Sequence, residues 1–142
     1  MDREAELKAL SHEIIGACIE VHRALGPGLL EKIYQDCLCH ELDLRGIKYI
    51  KEPTLRYNYK GFPLDLELRA DLIVEDSIVV ELKAVKDLHP VYEAQLLSYL
   101  RLSDKPVGLL INFNVPVLKN GIVRRTLEGL PKIQEDEDEP IL

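Results

Sequence analysis

Asp71, Glu81 and Lys83 are the residues of this 142-residue chain whose types and spacing best suit chemistry. Between the two acids lies Glu75-Asp76-Ser77, a polar turn flanked by apolar runs. A three-residue turn pairs Val74 with Ile78, and counting outward gives 73/79, 72/80 and 71/81. The spacing therefore predicts that Asp71 and Glu81 face each other across two strands, with Cβ atoms about 5 Å apart. Facing carboxylates repel, and a bound divalent cation reverses that sign. Lys83, two residues beyond Glu81, projects from the same strand face. With the Leu82 backbone carbonyl, Asp71 and Glu81 supply hard oxygen donors, which suit Mg2+ or Mn2+. Such an ion acidifies a bound water and orients it toward a phosphodiester, while Lys83 stabilises the charge that develops on phosphate. The competing reading is a solvent-facing strand with mixed charges.

Other candidates lie further out. Gln95 and Tyr99 are four apart and share a helix face, with Tyr92 three before Gln95. Either they serve the site or Tyr99 is core and Gln95 bonds a strand carbonyl. His22 precedes the Gly26-Pro27-Gly28 turn and is a candidate to reach the site, against the commoner structural role. Cys37, Cys39 and His40 crowd one helix too closely to share a metal, so core packing suits the cysteines. Lys51, Arg56, Lys60, Arg69 and Arg124-Arg125 are either a phosphate-contacting strip or a solvated face.

The elements that position these residues follow from periodicity. Leu7, Leu10, Ile14, Cys18, Val21 and Leu25 recur at three and four and predict a helix over about 4–24. A second helix is predicted over 29–44 with Ile33, Leu38 and Leu42 inward, stopped by Gly46. Period two then takes over: a strand over 47–50, another over 54–59, and a Lys60-Gly61 turn. From Leu64 to Val74 every even position is apolar, predicting one long strand with one buried face. A strand over 78–85, a helix over 88–102 with Pro90 in its first turn, an all-apolar strand over 106–113 and a last strand over 122–127 complete the chain. The order α-α-β-β-β-β-α-β-β predicts an α/β (α+β) fold, a mixed sheet flanked by helices.

Composition sets the frame. Hydrophobic residues at 46% and charged residues at 30% describe an ordinary globular domain, here assigned to residues 1–131. Residues 132–142 form an acidic tail in which Glu135, Asp136, Glu137, Asp138 and Glu139 are consecutive. Those five acids account for most of the net charge of −7 and leave about −2 for the remainder. The balance argues mildly against tight nucleic-acid binding, though a local basic strip can coexist with an acidic whole. Three cysteines without a CxxC pair, no secretion signal and no run long enough to span a bilayer predict a cytoplasmic protein away from membranes.

Several motifs agree in order. Asp71…Glu81-Leu82-Lys83 resembles the D…(D/E)-x-K core of the PD-(D/E)XK nuclease superfamily. Gly28-Leu29-Leu30-Glu31-Lys32-Ile33-Tyr34 is similar to the motif that names its GxxExxY family. His22 to Gly28 and Asn112-Phe113-Asn114-Val115-Pro116 resemble that family too, so the likeness covers about residues 10–127. The resemblance implies a restriction-endonuclease-like fold, metal ligation by Asp71 and Glu81, and a catalytic Lys83. It maps the family's helical Glu to Glu31 as a further ligand, where local sequence offers a helix-cap role instead. Tyr34, Gln95 and Tyr99 become supporting residues, the last two because Gln95 to Tyr99 resembles the QxxxY motif of RecB-like exonucleases. The implied function is a Mg2+- or Mn2+-dependent nuclease acting on nucleic acid, with DNA favoured. The alternative is a non-catalytic nucleic-acid- or protein-binding module on the same fold. Oligomeric state is open, a homodimer included.

Overall fold

The computed structural model describes residues 2–130, and the acidic tail lies outside the described residues. Helix α1 spans Arg3–Leu25, its start capped by the Asp2 carboxylate, which accepts the Ala5 N–H at 2.7 Å. Helix α2 spans Glu31–Leu44. Strands β1 (Tyr49–Lys51), β2 (Thr54–Tyr59), β3 (Phe62–Arg69), β4 (Leu72–Val74) and β5 (Ile78–Lys83) follow. Then come helix α3 (Pro90–Ser103), strand β6 (Val107–Asn112), a 3-10 turn at Leu118–Gly121 and strand β7 (Ile122–Thr126).

Five strands form one mixed sheet in the order β1-β4-β5-β6-β7, with β5 and β6 parallel and the other pairs antiparallel. The parallel pair needs a crossover, and α3 supplies it. Alternation sends Ile78, Val80 and Leu82 of β5 into a core with α1 and α2. Val79 faces the other side, where α3 contributes Leu96, Tyr99 and Leu100 and the β2–β3 hairpin contributes Leu55. Strand β6 is buried at every position, as its unbroken apolar run predicts.

Two expectations are corrected. The run 64–74 is two strands in two sheets, because β3 pairs with β2 alone while β4 joins β1 and β5. The chain turns at Asp71: its N–H donates to the Val80 carbonyl on one side, and its carbonyl accepts from Glu52 N–H on the other. In a regular strand both groups point the same way. In α2, the inward stripe is Tyr34, Gln35, Leu38, Cys39 and Leu42, and Ile33 is exposed.

Candidate active site

The turn Glu75–Ser77 forms as expected, with left-handed φ at Glu75 and Asp76. Pairing runs 74/78, 73/79 and 72/80, so Asp71 and Glu81 come next in line. The carboxylate of Asp71 completes the ladder that β4 abandons. Its Oδ2 accepts the Leu82 N–H at 2.7 Å, and its Oδ1 accepts the Gln35 amide at 2.8 Å. Gln35 is itself buried, and its Oε1 accepts from Lys32 at 3.2 Å. Since Val80 O accepts from Asp71, alternation turns the Leu82 carbonyl to the same edge.

Glu81 and Lys83 sit two apart at the carboxyl end of β5, joined by a 3.3 Å ion pair. The Lys83 ammonium lies 4.5 Å from the ring centroid of Tyr92 on α3, a cation–π contact that fixes its direction. Glu81, Lys83, Gln95 and Tyr99 line a cleft of 230 Å³, closed on its far side by Glu67, Leu68 and Arg69 of β3. A larger hollow of 620 Å³ lies at the other ends of the strands, against Leu7, Pro106 and Arg124, and holds none of these residues.

The electrostatics of the cleft are those of crowded acids. Burial, then the charge of Asp71, push the Glu81 carboxyl up to about 7, against the opposing pull of Lys83. Glu31 adds a smaller upward push. Asp71 is also raised by burial, with the Leu82 N–H and the Gln35 amide holding it down. Burial and the Glu81 charge raise Tyr99.

The remaining candidates are placed as follows. Glu31 is the exposed first residue of α2 and senses Glu81 only at range. It has no capping box: the N-cap is Leu30, with no side-chain bond. Among the described residues no three His, Cys, Asp or Glu side chains gather closely enough to hold a metal. Tyr34 is buried, donates to the Gly26 carbonyl at 2.6 Å, and stacks on Phe113 with centroids 4.4 Å apart. His22 Nε2 meets the Val115 carbonyl at 2.8 Å. Gln95 is exposed on the cleft wall, whereas Tyr99 is buried. Lys51 pairs with Asp36 at 3.1 Å and Arg125 with Glu93 at 2.6 Å, while Arg69 joins the cleft. Gln35 is the residue sequence reasoning missed, although it stands in phase with Leu38 and Leu42 on the apolar stripe.

This arrangement of a mixed sheet, helices on both faces and acids at the carboxyl end of a parallel strand has a counterpart among known families. The model of the PD-(D/E)XK nuclease superfamily matches residues 8–125, and the chain belongs to that superfamily. Its architecture accords with the restriction-endonuclease-like fold. No curated protein and no solved structure matches the chain significantly.

Proposed function

We propose that this protein is a divalent-metal-dependent nuclease of the GxxExxY kind, hydrolysing phosphodiester bonds in nucleic acid, with DNA favoured. The observation that carries the reading is the register at the sheet edge: Asp71 follows Leu72/Val80 in line with Glu81, and Lys83 shares the Glu81 side of β5 within one cleft. Membership of a nuclease superfamily supports it.

The donor set fits a hard cation. Asp71, Glu81 and the Leu82 carbonyl offer oxygen only, and burial, then the charge of Asp71, pushes the Glu81 carboxyl up to about 7. Glu31 is the outer acid of the set. A divalent ion, when bound, supplies positive charge at the phosphate and acidifies an attacking water. The chain's own residues do the rest. Gln35 and the Leu82 N–H grip one oxygen each of Asp71, so that carboxylate cannot rotate. Tyr92 holds the Lys83 ammonium at the cleft, where it meets charge developing on the phosphate. Gln95 and Tyr99 wall the cleft opposite β5, and Gln95 presents an amide to phosphate or water. His22 and Tyr34 act from behind, anchoring the loops between α1 and α2 and after β6. Three free cysteines suit a reducing, cytoplasmic setting.

The test is cleavage of labelled single- and double-stranded DNA and RNA with Mn2+ or with EDTA, beside Lys83→Ala. Wild type should cleave only with metal, and the variant should lose about 100-fold or more. Calorimetry showing no Mg2+ or Mn2+ uptake by folded wild type would overturn the reading. Binding with no cleavage under any metal would favour a non-catalytic module.

A further inference from the structure

Three of the ten exposed large hydrophobic residues among those described are aromatic, and all three lie on the β2–β3 hairpin: Tyr57, Tyr59 and Phe62. Alternation puts Tyr57 and Tyr59 on one face. The register sets Tyr59 opposite Phe62 and Tyr57 opposite Leu64, so the aromatics share that face. At the root of the hairpin the same face is covered, since Leu55, Leu66 and Leu68 pack in the core that α3 shares. Toward the tip it is bare: Phe62 is 64% exposed and Tyr59 54%. The tip is also stiff. Lys60 and Gly61 both take positive φ, as a two-residue hairpin turn demands, and Asn58 Oδ1 accepts the Gly61 N–H at 2.7 Å.

The charge of this arm says what covers it. Lys60 stands at the tip beside the exposed rings, whereas Arg56 pairs opposite Asp65 on the other face of the hairpin. The Lys60 ammonium lies 5.3 Å from the Tyr59 ring centroid, so positive charge sits on the aromatic ledge itself. The arm is continuous with the cleft, because Glu67, Leu68 and Arg69 at the far end of β3 form the cleft wall. Exposed rings with a cation lying over one of them match a ligand that joins flat bases to phosphates. Bases in a duplex are already stacked on one another, whereas unpaired bases present free faces.

We propose that the β2–β3 hairpin is a stacking platform for unpaired nucleotides. Bases lie on Tyr57, Tyr59 and Phe62, Lys60 meets the phosphates, and the strand is delivered along β3 to the cleft. The inference rests on the nuclease reading for its destination but makes a separate claim about substrate class: single-stranded or locally unpaired nucleic acid.

The chain contains no tryptophan, so Phe62→Trp installs a single indole on the ledge. Titrated in EDTA with a thymidine homopolymer oligonucleotide, its fluorescence should be quenched, and a blunt duplex of the same length should quench it far less. Affinity of Tyr59→Ala/Phe62→Ala for the homopolymer, measured by anisotropy, should fall about tenfold or more. Tyr59→Phe should retain affinity. Melting of each variant near the wild-type temperature verifies the fold.

Equal quenching by both probes, or unchanged affinity after removal of both rings, overturns the proposal. So does absence of oligonucleotide binding by wild type. Loss of self-association in the double variant with oligonucleotide affinity unchanged would assign the face to a second copy of the chain instead. Ring-dependent binding without cleavage under any metal would uphold the platform while overturning the nuclease reading. Cleavage with ring-independent binding would do the reverse.

Discussion

Asp71, a ligand in the proposed site, also has a structural task. Its carboxylate supplies the hydrogen bond that Leu82 N–H would otherwise lose where β4 stops. Gln35 is the other half of that clamp, and Gln35→Ala leaves a buried carboxylate oxygen without its donor. Stability is expected to fall by about 1–3 kcal/mol in chemical denaturation, and Mg2+ affinity by about 10-fold to 100-fold in calorimetry. Glu81 yields a prediction of its own. Its carboxyl stands near 7 in the fold against an ordinary value of 4.5. Between those values the folded protein keeps a proton that the unfolded chain releases, so stability in EDTA should fall as pH rises from about 4.5 to about 7 and level off above. Glu81→Gln, freed of that cost, should exceed wild type by about 1–3 kcal/mol at pH 8 without metal, while losing the stabilisation that Mg2+ confers. Denaturant melts across pH measure both. The register 74/78, 73/79 and 72/80, which leaves Asp71 and Glu81 next in line, was legible because a polar turn and strict alternation fix it. Gln35 was legible in principle from helical phase, but a glutamine among leucines was passed over. Leu38 and Leu42 point inward as expected, and Tyr34, four before Leu38, takes the inward place expected of Ile33.

At the scale of elements, the break between β3 and β4 was illegible for a definite reason. Apolar residues continue on even positions from Leu64 through Val74 without a phase slip, so no single-strand pattern reveals it. Pairing decides it: β3 has only β2 beside it, and the kink at Asp71 carries the chain from one sheet to the other. The end of β6 is a second such junction. Asn112 is buried, accepts from Val85 N–H at 3.0 Å and Asn114 N–H at 3.2 Å, and donates to the Val85 carbonyl at 2.9 Å. It thereby anchors the exit of β5 just beyond Lys83. Asn112→Ala should cost about 2–3 kcal/mol in denaturant melts, and should lower activity beyond what partial unfolding explains, because Lys83 loses its fixed end. Gly121, the last residue of the 3-10 turn, packs against the same junction. In the fold its backbone abuts the Asn112 carbonyl so closely that a Cβ there would collide.

Across the whole molecule, the charge balance shapes encounter with a polyanion. Most of the −7 resides in Glu135 to Glu139, outside the described residues. Removing residues 132–142 should raise oligonucleotide affinity several-fold at low salt, with the gain fading toward about 0.5 M as screening shortens its reach. Anisotropy titrations at several ionic strengths measure this. The layered class was readable from the order of periodic runs. The strand order β1-β4-β5-β6-β7 was not, since it depends on which distant segments meet.

The knot formed by Tyr34, Gly26, Phe113, His22 and Val115 has a practical corollary. Those residues include much of what makes the chain recognisable as text, yet their contacts brace loops. On the proposed reading, a homologue that kept them and replaced Lys83 should keep the shape and lose cleavage. Surveys that label proteins of this kind should sort them by the β5 end, because the signature around Tyr34 certifies a chassis and leaves its engine unexamined.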